Sequence, residues 1–204
     1  QGAFFYAFLL MLLGAFFDFF DGMAARRLGV SGPMGVQMDS LADDITFGLA
    51  PAMMLCCYLR PLLGWWCLLA LLMAAFAAVR LAKFNIDERQ TTSFLGLATP
   101  ANAIFWGSLC CMPYALLAWD GMPWLLLVLS LVSGLLMVSE IPFLSLKFKS
   151  FTWHDNQDKY IFLLGAAVIV VYCLCKSLCI HHPEWLVLAG TGGILWYVVL
   201  NLLM

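Results

Sequence analysis

The sequence predicts an all-α fold, a polytopic bundle of membrane-spanning helices, and three observations carry that expectation. The chain is 64% hydrophobic and only 11% charged, with a mean hydropathy of +0.96. That balance belongs to membrane proteins and not to water-soluble domains. Its apolar stretches run to roughly 20 residues, long enough to cross a hydrocarbon core as helices. Finally, five of its twelve acidic residues (Asp18, Asp21, Asp39, Asp43 and Asp44) fall within 27 positions, inside two of those stretches.

Seven spans are predicted, at about 3–20, 36–59, 62–82, 98–119, 122–141, 160–179 and 185–203. The first begins at once after Gln1 with no charged leader, so the reading expects a preceding segment that carries one more span. The second and third meet at Arg60-Pro61, and the fourth and fifth at Asp120-Gly121. Such short links make neighbouring spans antiparallel. The fourth opens in "GLATPA", with Pro100 in a first turn where a missing N–H costs nothing. Residues 1–204 contain no internal repeat or soluble insertion and read as one domain, incomplete at its N-terminus.

Threading these spans places Arg26, Arg27, Arg80, Lys83, Arg89, Lys147, Lys149 and Lys159 on one face, against Arg60 and Lys176 on the other. The positive-inside rule makes the first face cytoplasmic, with the chain in the inner, cytoplasmic membrane if the cell is bacterial. Trp65, Trp66, Trp119, Trp124 and Trp185 fall near the opposite ends, as an interfacial belt requires. A net charge of −2 gives no reason to expect a nucleic-acid partner. The eight cysteines show neither zinc-site spacing nor a disulfide framework and read as small apolar filler. A homodimer is compatible with this reading.

Charges inside membrane helices are costly and face a bundle interior or a wet cavity. Asp18 and Asp21 are three apart and Asp39 and Asp43 four apart, so each pair shares one helix face. Gly29 and "SGP" at 31–33 turn the two segments into an antiparallel hairpin. At about 1.5 Å per residue, Asp18 and Asp43 lie roughly 15–16 Å from that turn and Asp21 and Asp39 roughly 9–12 Å. The four are predicted to converge in two tiers.

Four converging carboxylates oppose one another's ionisation, and two divalent cations would balance them. Oxygen ligands without nearby His or Cys favour Mg2+ or Mn2+. Two-metal sites serve displacement at phosphorus. Gly22 and Ala25 leave room beside the metals, and Arg26 offers a forked donor for phosphate. Asp44, one step past Asp43, points about 100° away and is predicted to stand outside the cluster. An Asp-lined cation path in a transporter is the alternative from another functional class.

The stretch from Asp18 to Asp43 reads D-x-x-D-G-x-x-A-R, eight residues, then G-x-x-x-D-x-x-x-D, with Gly35 as the second glycine. It resembles the CDP-alcohol phosphotransferase family, with eight fixed positions over 26 residues. The resemblance implies two divalent metals on Asp18, Asp21, Asp39 and Asp43, with Asp43 also the general base. It implies a CDP-linked donor held near Gly22, Ala25, Arg26 and Gly35, and release of CMP.

Three further stretches, "DSLADDITFGLAPA" at 39–52, "RLAKFN" at 80–85 and "GLATPA" at 96–101, resemble the family's phosphatidylserine synthase branch. "MVSEIPFLSLKFK" at 137–149 does so more loosely. That branch implies CDP-diacylglycerol as donor and L-serine as acceptor, joined by direct displacement. A guanidinium can grip the serine carboxylate, so Arg80, with Lys83 and Asn85, is expected to bind serine. Arg80 and Lys83 also fit ordinary snorkelling anchors. Lys147 suits the donor's diphosphate or anionic headgroups equally well. Gly96 and Thr99 are placed at the edge of the acceptor pocket. A sister enzyme acting on glycerol-3-phosphate or inositol phosphate is the nearer alternative, although this chain is sparing with the extra basic residues it would need.

Overall fold

The computed structural model describes residues 2–29, 32–86, 94–113, 119–143, 157–180 and 184–203. They form helix α1 (Gly2–Leu28), helix α2 (Pro33–Asp43), a π-helical turn (Asp44–Leu49) and helix α3 (Ala50–Leu63). A 3-10 segment (Gly64–Leu71), helix α4 (Leu72–Ile86), strand β1 (Phe94–Leu95) and helix α5 (Thr99–Cys110) follow. Helix α6 (Met122–Val138), strand β2 (Pro142–Phe143), helix α7 (Gln157–Ile180) and helix α8 (Glu184–Leu203) complete the chain. Among the described residues the fold is helical apart from one two-residue antiparallel pairing, Phe94 with Phe143 and Leu95 with Pro142. Among them, three helical stretches are long and apolar enough to cross a membrane: Gly2–Ala25, Pro33–Ile86 and Lys159–Cys179.

Among the described residues each predicted apolar run contains helix, and two of the boundaries differ most. From Pro33 to Leu63 the chain is one rod, α2, the π turn and α3 in succession, and Pro61 is absorbed into its last turn. The reversal comes at Gly64, where φ is 56° and ψ −129°. Glycine enters that region at no steric cost, whereas Arg60 and Pro61 keep φ negative. In the run expected at 98–119, α5 ends at Cys110 and residues 111–113 are not helical, while 114–118 lie outside the described residues. Pro113 follows, and it disfavours helical geometry in the residue before it.

Helix α5 is the hub. It packs on α1, α3 and α8 and buries Thr99, Asn102, Ala103, Phe105 and Trp106. Trp106 is fully buried, and its indole N–H donates to Ser133 Oγ of α6 at 2.9 Å, which removes the cost of an unpaired donor in an apolar core. Leu55 and Leu59 of α3 and Met73 and Ala77 of α4 belong to the same buried cluster. Phe8 and Met11 seat α1 on α5. Outside the core, Leu, Val, Phe and Trp side chains are exposed on most helices, as a lipid-solvated surface requires.

The start of α5 is held in place by backbone bonds. Gly96 N–H donates to Ile141 O at 2.9 Å and Leu97 N–H to Leu136 O at 3.1 Å, fastening the segment before Thr99 to the end of α6. Gly96 has φ 72°, and a Cβ there would lie 2.5 Å from Met137 O and 2.9 Å from Ser139 O. Gly96→Ala therefore meets both a disfavoured φ and immovable backbone, and should cost about 2–4 kcal/mol. A clear fall in the unfolding midpoint in detergent is expected. Gly193→Ala, where a Cβ meets nothing within 4 Å, should leave the midpoint unchanged or raise it.

Candidate active site

Helices α1 and α2 deliver the carboxylates. Pro33 starts α2 at its first turn, after Gly32 in an extended conformation, and Val36 N–H bonds to Gly32 O at 3.2 Å. The helix then proceeds without a break, so its 3.6-residue period puts Asp39 and Asp43 on one face. Ligand oxygens of Asp18, Asp21 and Asp39 all lie within 4.8 Å of one another. The Asp18 carboxyl meets that of Asp39 in hydrogen-bond contact. Asp18 is half-buried while Asp21 and Asp39 are exposed, so the group sits at an open mouth.

Asp43 stands apart from that trio, one turn further along α2 and half-buried. The charges that bear on it are the carboxylates of Asp18, Asp39 and Asp21 and the guanidinium of Arg80. The expected two-tier square is thus three close carboxylates with the fourth behind them. The four-residue step from Asp39 to Asp43 is about 6 Å of axial rise, which accounts for the offset. Asp44 opens the π turn and lies outside the trio. Its Oδ1 is buried beside Gly48, where a Cβ would come within 2.5 Å of it and 2.9 Å of the Ala77 methyl.

Arg80 projects from α4 and is only 8% exposed. Its Nη1 donates to Thr99 Oγ1 at 2.7 Å, and its Nε is buried without a hydrogen-bond acceptor. The ionisable groups in electrostatic reach of it are Asp43 and Tyr197. A snorkelling arginine would carry its head out to the interface, and this one is held inside the bundle. The Lys83 ammonium donates to Val138 O at 3.3 Å, at the C-terminal end of α6, and Asn85 Nδ2 donates to Ser40 Oγ at 2.8 Å. These two bonds tie the end of α4 to α6 and to α2.

Gly22 and Ala25 are half-exposed on α1 and Gly35 is exposed on α2, with open space where its Cβ would be. The Arg26 side chain and Lys147 lie outside the described residues. Tyr197 of α8 carried no signal in the sequence, where it is one more aromatic in an apolar run. Ser40, which receives the Asn85 amide, was equally silent. Thr99 had been placed only at a pocket edge.

The trio offers carboxylate oxygens alone, a donor set that fits a hard divalent cation and not a soft one. Asp18, Asp21 and Asp39 together could hold such an ion.

A family model described as CDP-alcohol phosphatidyltransferase matches residues 1–143. The CDP-diacylglycerol–serine O-phosphatidyltransferase of Bacillus subtilis (strain 168) is 37% identical over 140 residues, 67% of this chain and 73% of that one. Its namesake from Methanocaldococcus jannaschii is 30% identical over 165 residues, covering 81% of this chain and 73% of that one. A third, from Mycobacterium bovis, is 29% identical over 192 residues, 89% of this chain and 63% of that one. The matched region contains every described carboxylate of the site together with Arg80 and Thr99, and the chain belongs to the CDP-alcohol phosphatidyltransferase family.

Proposed function

We propose that this chain is an integral membrane CDP-diacylglycerol–serine O-phosphatidyltransferase. The observation that carries the reading is the trio Asp18, Asp21 and Asp39 backed by Asp43, with the Arg80–Thr99 pair directly behind. The names of the relatives supply serine as acceptor.

The chain crosses the membrane seven times in this reading, with its carboxylates at the cytoplasmic face and both donor acyl chains in lipid. Gly22, Ala25 and Gly35 leave the space into which the cytidine diphosphate enters, and Arg26 and Lys147 grip its phosphates. Asp18, Asp21, Asp39 and Asp43 would hold two divalent cations, Mg2+ or Mn2+, and these would neutralise and polarise the phosphate oxygens. Serine enters from the cytosol with its carboxylate on Arg80. Its hydroxyl oxygen bonds to the phosphorus next to diacylglycerol as the bond from that phosphorus to the CMP oxygen breaks. Asp43 takes the hydroxyl proton. Phosphatidylserine stays in the bilayer and CMP leaves.

The purified chain should release CMP from CDP-diacylglycerol with L-serine and not with glycerol-3-phosphate or inositol phosphate. Release with either of those in place of serine would move the chain to a sister activity. No release with any acceptor, alongside divalent-cation flux in vesicles, would favour a transporter.

Among the carboxylates, Asp18→Ala, Asp21→Ala and Asp39→Ala should each abolish turnover and weaken Mn2+ binding measured calorimetrically. Asp44→Ala, outside the trio, should be far milder in both measurements. Asp43→Asn should retain donor binding but lose about 10²–10⁴-fold in CMP release, the usual contribution of a general base. Near-normal turnover would remove Asp43 from that role.

For the acceptor, Arg80→Ala should raise the serine KM by roughly one to two decades, as loss of a charge-assisted bond worth about 1.5–3 kcal/mol implies. The CDP-diacylglycerol KM should move little. Thr99→Val, which removes the partner of Nη1, should shift the serine KM in the same direction by less. Unchanged serine dependence in Arg80→Ala would make the arginine a structural group.

A further inference from the structure

Far from the carboxylates, the α3 hairpin contains a second reactive pair. Cys56 of α3 and Cys67 of the 3-10 segment face each other across the reversal at Gly64, with Cys56 Sγ donating to Cys67 Sγ at 3.3 Å. Both are free thiols and both are buried, Cys56 at 7% exposure and Cys67 at 2%. Thirteen residues of rod separate Asp43 from Cys56, roughly 18–20 Å at helical rise. The pair therefore plays no part in the chemistry proposed above.

The geometry points to a dithiol modification site: Cys56 and Cys67 form a reversible disulfide that staples the Pro33–Leu63 rod to the segment leading into α4. A disulfide needs an S–S distance of about 2.05 Å, so the sulfurs must close by a little over 1 Å, within reach of small side-chain rotations. The placement of the two backbones supplies what sequence spacing alone could not. The oxidant is a disulfide of a small molecule or of another protein. The Cys56 thiolate attacks one of its sulfurs and expels a thiolate, leaving a mixed disulfide on Cys56. Cys67 then attacks Cys56 Sγ and expels the second thiolate. The two cysteine protons end on the two released thiols, and the two electrons reduce the oxidant.

The staple closes an 11-residue separation around the reversal at Gly64. It restricts the unfolded chain and so raises stability. In the orientation proposed above, this end of the bundle faces away from the cytoplasm, the side on which disulfides persist. Three other thiols compete nearby: Cys57 is exposed, Cys111 Sγ donates to Gly107 O at 3.3 Å, and Cys110 is buried on α5.

The test uses the purified chain in detergent, reduced, freed of reductant, oxidised with dithiodipyridine, blocked with N-ethylmaleimide and digested for mass spectrometry. The expected product joins the Cys56 and Cys67 peptides, two hydrogens lighter than the reduced pair, and dithiothreitol reverses it. The unfolding temperature read by Trp fluorescence should rise on oxidation. Cys57→Ser should keep linkage and rise, and Cys67→Ser or Cys56→Ala should lose both. Thiopyridine adducts without linkage, linkage of Cys56 to Cys57, Cys110 or Cys111 instead, or linkage with no rise in unfolding temperature would each overturn the proposal. None of these readouts depends on catalytic activity, so the result stands apart from the assignment of substrate.

Discussion

A guanidinium buried in a bundle surrounded by hydrocarbon must find compensation, and Arg80 finds it in Thr99 and in the nearby Asp43 carboxylate. Leaving either ion alone in such a place would cost several kcal/mol, which is why buried charges come paired. The requirement constrains three elements together. The end of α2 must bring Asp43 inward, α4 must lie against the π turn so that Arg80 can reach it, and α5 must begin where Thr99 can accept from Nη1. Each neighbouring feature serves one of those placements. The Gly96 contacts fix the start of α5, the Lys83 bond ties α4 to α6, and the Asn85 bond ties α4 to α2 beside Asp39.

The same constraint explains why the site divides into an open half and a closed half. Asp21 and Asp39 are exposed and can exchange ligands with water, while Arg80 is closed off and Asp43 lies between. An ion or a phosphate can reach the mouth without disturbing the core. A small zwitterion placed at Arg80 would sit in a region of lower dielectric, where the charge-assisted bond to its carboxylate is stronger than in water. Depth thus separates the exposed carboxylates at the mouth from the buried guanidinium behind them.

The helical class, the runs of apolar residues and the aspartate hairpin were legible because each is a local property. Asp18 and Asp21, like Asp39 and Asp43, share one helix face through periodicity alone, and no tertiary information is needed to place them there. Arg80, Thr99 and Tyr197 come together through packing of α4, α5 and α8, and no spacing in the sequence encodes that meeting. The reversal at Gly64 was misplaced to Arg60-Pro61 because proline is the louder signal. A proline near a helix end can remain helical, while a positive φ is open at little cost only to glycine. Cys56 and Cys67 looked like filler for the related reason that their proximity depends on where that reversal occurs.

Helices α7 and α8 lie beyond the family match, which ends at Phe143, and from composition alone they are two apolar spans. Their packing gives them a more definite place. Tyr197 is buried against Phe143 and Phe162, with ring centroids 5.7 and 5.5 Å away, and it is the second ionisable group within reach of Arg80. Ser108 and Thr191 join α5 to α8 through hydroxyls 2.7 Å apart, at a point where both are buried. Helix α8 therefore brings Tyr197 within electrostatic reach of Arg80, and a polar bond helps fix its register against α5. Burial of that kind keeps the surroundings of the guanidinium low in dielectric, where its bond to Thr99 is stronger than in water. The last two helices contribute no carboxylate to the trio, yet they help create the environment in which Arg80 stays inside.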